Sequence, residues 1–315
     1  MAVDVDAAGS PAPGPADTQA VQRIADGIRR RVFGHVLAND GGYLSQACSA
    51  AELLAVLYGG AVGLAPAGTP LVPDAFTGVP GAGRTAQNGA APHGPTGPGL
   101  DRLIVSPAHY ALVVYAALIE VGRLAEDALD SFNRDGSTVE MIGAEHSPGF
   151  ETTTGSLAQA LSQAGGIALG RRLKGHTGRT WVFMSDGEMQ EGQTWEAFQA
   201  LAFHGLDTVR VVVDVNQAQC DGPMDTVMTV EPLADRIRAF GASVDVVDGH
   251  DVAALQAATA RETGRPHVVL AYTDPVRGVP LLQERRPVLH YLRFTGPDER
   301  ERYVRAYEQM LEAAR

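Results

Sequence analysis

The chain has 315 residues, with 25 Lys and Arg against 37 Asp and Glu, and its formal charge of −12 repels a nucleic-acid backbone rather than binding it. That length excludes a small stapled domain and suffices for one large α/β domain. Apolar residues make up 45% of it, yet no run of about 18 of them exists to span a bilayer; two cysteines, Cys48 and Cys220, can build neither a disulfide framework nor a cysteine-cluster metal site.

From the N-terminus, residues 1–17 hold no Lys or Arg and no apolar core, so they do not read as a secretory signal. Pro11, Pro13, Gly14 and Pro15 predict a flexible leader, and the chain is expected to be cytoplasmic. From residue 18, Val21, Ile24, Ile28, Val32 and Val36 recur at helical spacing, with Asp17 or Thr18 placed as the cap. A turn at Asp40-Gly41-Gly42 leads to a second helix over 45–58. Residues 59–100 read as a long Gly/Pro-rich loop, since 11 of the 22 residues from 78 to 99 are Gly or Pro. Within it, Gly78 to Thr85 nearly spells a phosphate-binding loop, but Arg84 stands where Lys is required and no apolar strand leads in.

A strand over 103–106 and helices over 107–122, 125–133 and 155–173 follow, the last rich in small apolar residues. Val-rich strands over 181–184, 209–213, 244–247 and 268–272 then alternate with helices over 194–204, 233–240 and 252–261, before a terminal helix over 298–314. This alternation predicts a doubly wound α/β domain over 18–315, its mostly parallel sheet covered by helices on both faces.

Ligands of such sheets bind at the carboxyl ends of the strands. Ser185-Asp186-Gly187-Glu188 follows one predicted strand and Asp214-Val215-Asn216-Gln217-Ala218 the next. A right-handed crossover brings Asp186 and Asn216 to one edge. A carboxylate, an amide oxygen and a backbone carbonyl suit Mg²⁺ or Ca²⁺, which leave coordination positions for a phosphorylated ligand. Gly187 and Gly192 let the main chain come close to a diphosphate. Taken singly, Asp-Gly is a common turn and Asn a common cap; it is their joint placement that points to a metal–diphosphate anchor.

Ser185-Asp-Gly-Glu-Met-Gln-Glu-Gly-Gln-Thr-Trp-Glu-Ala197, with Asn216 after Val213-Asp-Val, resembles the thiamine-diphosphate motif in its transketolase version. Asp101 to His109, Pro148 to Leu157 and Asp248-Gly-His250-Asp251 extend the similarity, which covers the amino-terminal, diphosphate-binding domain of a transketolase. The resemblance implies that Asp186, Asn216 and the Ala218 carbonyl hold Mg²⁺ or Ca²⁺. It sets Gly187 and Glu188 with the diphosphate and Gly155 and Leu157 at the cofactor rings. It further implies that His109, His146 and His290 face substrate and that Glu191 couples two active sites across a dimer. Read without it, Glu191 is an acidic residue stabilised by about 0.3–1 kcal/mol at a helix start, and the three histidines are polar termini, surface or packing residues.

The same resemblance implies a split enzyme that moves a two-carbon ketol unit from a ketose, free or phosphorylated, to an aldehyde acceptor through a covalent thiamine diphosphate adduct. A separate C-terminal, pyrimidine-binding subunit would complete an α2β2 tetramer acting on a small sugar, with no nucleic acid and no membrane involved. Two departures stand out: Ser185 replaces the usual Gly, and Asp40-Gly-Gly-Tyr-Leu-Ser45 stands where the family carries Gly-His-Pro-Gly, without the histidine. The alternatives are a thiamine enzyme subunit acting on a 2-oxo acid, against which the 101–109 and 151–157 matches speak, and a non-catalytic partner-binding descendant, against which Asp186 and Asn216 speak.

Overall fold

The computed structural model describes residues 17–314. The leader expected over 1–17 therefore lies outside the described residues except for Asp17, whose side chain accepts from the Gln19 amide (3.2 Å) and caps the first helix.

Five parallel strands form the central sheet: β1 (Arg102–Val105), β2 (Thr180–Ser185), β3 (Val209–Val215), β4 (Ser243–Asp248) and β5 (His267–Tyr272), in the order β1-β2-β3-β5-β4. The main helices are α1 (Thr18–Ala38), α2 (Leu44–Val56), α3 (Ala111–Glu120), α4 (Gln159–Leu173), α5 (Gly192–Phe203), α6 (Leu233–Ala239), α7 (Val252–Ala260) and α8 (Pro297–Ala313). Because strand side chains alternate between faces, the sheet feeds two separate cores. Leu103, Val105, Trp181, Phe183, Val212 and Val269 join α1, α2, α3, α7 and α8. Ile104, Val182, Met184, Val211, Val213 and Val268 join α4, α5 and α6 on the other side. The doubly wound α/β expectation is thus met. No helix among the described residues is long and apolar enough to cross a membrane.

Local departures have identifiable causes. The helix expected over 125–133 shrinks to the 3₁₀ turn Ala128–Ser131, since so short a segment is marginal by itself and the Asn133 amide bonds the Val139 carbonyl (2.7 Å) instead. The helix expected from 155 starts only at Gln159, because Ala158 is left-handed (φ 70°) and its amide bonds a Glu188 carboxylate oxygen (2.9 Å). Two-residue antiparallel pairings, Gly41–Gly42 with Leu292–Arg293 and Ala218–Gln219 with Gly222–Pro223, are not visible as strands in the sequence.

Two carboxylates fasten the long loop. Asp101 accepts from the Gly63 amide (2.9 Å), the Arg179 amide (2.7 Å) and Trp181 Nε1 (2.8 Å). Glu151 accepts from Arg102, from the Leu103 amide (3.0 Å) and from His93 Nδ1 (2.7 Å). Gly78 to Thr85 closes on itself through Gly81 and Arg84, without the strand and helix of a phosphate-binding loop.

Candidate active site

At the carboxyl ends of β2 and β3, Asp186 Oδ2 accepts from the Gln217 amide (2.8 Å) and so joins the two strand ends directly. Its Oδ1 is buried without a hydrogen-bond partner. Burial, then the nearby Asp214 carboxylate, pushes the Asp186 carboxyl up to about 8. An anionic oxygen so placed is costly unless a cation meets it.

Asn216 presents its amide in a fixed orientation. Nδ2 donates to Asp214 Oδ2 (3.1 Å) and to the Tyr110 hydroxyl (3.1 Å), which turns Oδ1 the other way, where it accepts from the Ala218 amide (3.0 Å) and keeps a second lone pair. Ala218 is paired opposite Pro223, which has no N–H to offer its carbonyl. A buried carboxylate oxygen, an amide oxygen and a carbonyl fit a hard cation. Among the described residues no group of three or more His, Cys, Asp or Glu side chains is gathered as a transition metal would require.

Next to these oxygens lies a cavity of about 310 Å³. Gly187 lines it, and a Cβ there would meet only Gln219 Cβ, at 3.9 Å, so the main chain faces open space in which a diphosphate can approach. Gly155 and Leu157 form a lip, in a loop rather than in the expected helix. Glu191 is exposed at the rim, at the start of α5, and caps no backbone amide.

His109 and His290 line the other end, their ring centroids 5.0 Å apart. Burial, then the neighbouring His290, lowers the His109 pKa to about 3, and burial lowers that of His290, so both imidazoles are neutral at pH 7. His290 is held by α2: Ser45 Oγ donates to the Leu289 carbonyl (2.8 Å) and Gln46 Nε2 to the His290 carbonyl (3.0 Å).

Two expected site residues stand elsewhere. Glu188 is fully buried and does not line the cavity; it accepts from Ser106 Oγ, the Ser185 amide (2.9 Å) and the Ala158 amide (2.9 Å), tying the ends of β1 and β2 to the start of α4. His146 is drawn away by Glu140 (3.0 Å) and packs on Phe76 (centroids 4.4 Å), and it is Ile142 of that segment that reaches the cavity.

Sequence reasoning missed Asp214. Fully buried behind Asn216, it accepts from Ser49 Oγ (2.6 Å), Tyr110 (2.9 Å), Asn216 (3.1 Å) and Thr273 Oγ1 (2.5 Å), and so orients Asn216. An Asp inside a Val-rich strand, which burial disfavours unless the group is bonded, was the available signal.

Residues 46–288 match the family described as "Transketolase, thiamine diphosphate binding domain". The chain is 37% identical to the transketolase family protein y4mO of Sinorhizobium fredii over 273 residues, 84% of this chain and 88% of that one. It is 35% identical to the 6-deoxy-6-sulfo-D-fructose transketolase subunit SqwG of a Clostridium species over 192 residues, 59% of this chain and 70% of the relative. The fold superposes on the crystal structure of transketolase from Campylobacter jejuni with a TM-score of 0.67 at 21% identity, covering 94% of this chain and 47% of that one. The chain thus spans about half the length of that transketolase.

Proposed function

This chain belongs to the transketolase family, and from that premise we propose that it is the diphosphate-binding subunit of a split transketolase. It would move a two-carbon ketol unit from a ketose to an aldehyde acceptor, with a separate pyrimidine-binding chain completing the site in a two-plus-two assembly. The observation that carries this reading is the unpartnered buried Asp186 Oδ1 beside Gly187, in the same cavity as two neutral histidines. The relative SqwG, 70% of whose length aligns, is itself named a transketolase subunit, which supports the split arrangement.

Asp186, Asn216 and the Ala218 carbonyl would hold Mg²⁺ or Ca²⁺, and Gly187 leaves room for the diphosphate. Bound there, thiamine diphosphate supplies the nucleophilic carbon and the electron sink that ketol transfer needs. Asp214 keeps Asn216 Oδ1 turned toward the metal position. Gly155 and Leu157, on the cavity lip, would border the cofactor rings. His109 and His290 can each donate from one ring nitrogen and accept at the other, so they orient substrate hydroxyls and shuttle protons without first losing a charge.

The test mixes the purified chain with a separately expressed pyrimidine-binding transketolase chain of the same genome, thiamine diphosphate and Mg²⁺, and follows ketose consumption. Turnover is expected only in the mixture. Full ketol transfer by this chain alone contradicts the split arrangement.

A further inference from the structure

Tyr43, the residue before α2, has no part in the metal or diphosphate anchor, yet the fold presses it onto both site histidines. Its ring lies 5.7 Å from that of His109, 5.5 Å from His290 and 4.9 Å from Tyr291, centroid to centroid. The backbone on either side is fastened to the segment that carries His290. Before it, Gly41–Gly42 pairs with Leu292–Arg293. Gly41 has φ 155°, and a Cβ there would stand 2.7 Å from the Leu292 carbonyl oxygen, so this pairing closes only without a side chain. After it, Ser45 and Gln46 bond the carbonyls of Leu289 and His290. So many attachments within six residues hold one half-buried ring against two imidazoles.

The Tyr43 hydroxyl makes no hydrogen bond to another described residue. Burial, then Tyr291 and Cys220, raises its pKa, so it is a protonated phenol at neutral pH. Half-buried tyrosines ordinarily find a partner for the O–H, and three of the groups around this ring, His109, His290 and Cys220, line the cavity, although Tyr43 itself stands behind them rather than in its wall. No Lys or Arg lines that cavity among the described residues, and Arg293, which stacks over Tyr291 (5.4 Å), is not part of its wall. A neutral phenol and two neutral imidazoles can each donate and accept, which matches hydroxyl groups, and they bring no positive charge to attract an anionic one. With the diphosphate anchored at Asp186 and Gly187, this end is left to the sugar.

We infer that Tyr43 is a specificity-determining residue whose phenol, with His109 and His290, hydrogen-bonds a hydroxyl on the carbons of the ketose donor beyond its two-carbon ketol unit. The inference rests on the ketol-transfer reading above.

Its test uses the reconstituted two-chain complex with thiamine diphosphate and Mg²⁺ and compares two kinds of donor. Hydroxypyruvate carries the ketol unit without further hydroxyls. The ketose donor is D-fructose or D-fructose 6-phosphate, whichever the wild-type complex consumes faster. Tyr43→Phe, which removes one oxygen, is expected to lower kcat/KM for the ketose about tenfold. Hydroxypyruvate turnover and calorimetric affinity for thiamine diphosphate should stay at wild-type levels. An undiminished ketose rate overturns the inference. So does an equal loss with both donors, which marks a structural role, and so does a wild-type complex that uses hydroxypyruvate but neither ketose. A wild-type complex that uses no donor at all overturns the ketol-transfer reading together with it.

Discussion

Asp186 and Glu52 are both buried carboxylates, and their surroundings drive them in opposite directions. Around Asp186 the backbone hydrogen bond from Gln217 does not make up for the loss of water and the nearby Asp214 charge, and one oxygen stays unpartnered. Asp186→Ala is therefore expected to weaken Mg²⁺-dependent thiamine diphosphate binding by on the order of 100-fold, read by calorimetry, with an unchanged circular dichroism spectrum. A wild-type affinity in that variant removes the metal assignment. At Glu52, burial opposes the charge, but hydrogen bonds from His250 Nδ1 (3.2 Å) and Arg29 outweigh it and hold the carboxyl at about 2 instead of 4.5. A depressed folded-state value contributes stability that is present above pH 4.5 and is lost as the pH falls through about 2. From 4.5 to about 2 this amounts to on the order of 3 kcal/mol. Glu52→Gln should lower the urea midpoint at pH 7 and flatten the loss of stability over that acid range; an unchanged pH slope rules out this source.

The elements that border the site are held by contacts distant in sequence. The lip that carries Gly155 and Leu157 leans on the long loop at Gly89, whose amide bonds the Glu145 carbonyl (2.8 Å) and whose carbonyl accepts from the Gly149 amide (2.7 Å). A Cβ on Gly89 would lie 2.4 Å from the Ser147 carbonyl oxygen and 2.5 Å from that of Phe150, and main chain cannot step aside as a flexible side chain does. Gly89→Ala is thus expected to cost about 1–3 kcal/mol in urea unfolding. It should also speed amide exchange across 143–157, whereas unchanged exchange there would separate the loop from the lip. Glu188 acts on the same scale: by accepting the Ala158 amide it stops α4 short of Gly155 and leaves that lip free of the helix. A small-residue helical pattern over 155–173 gives no hint of this, because the competing acceptor comes from the end of β2.

Over the whole molecule, one sheet separates two cores and brings the ends of β2 and β3 to a single cavity. If the assembly contains two copies of each chain, light scattering of the active mixture will give the mass of four subunits; a one-to-one complex with full activity would correct that stoichiometry. The Val-rich strands, the helices between them and the spacing of Asp186 and Asn216 were readable from residue order, because periodicity and strand-end placement are local properties of the chain. Legible too was the family likeness carried by residues 101–109, 148–157 and 185–216, and with it half of the cavity wall. The withdrawal of His146 toward Glu140, the burial of Glu188 behind the cavity, the four-donor seat of Asp214 and the setting of Tyr43 against His109 and His290 belong to the folded chain alone. Each depends on partners brought together from different parts of the fold, and whether a polar side chain faces a ligand or satisfies a neighbour is decided by which buried group lacks a partner once the chain has closed.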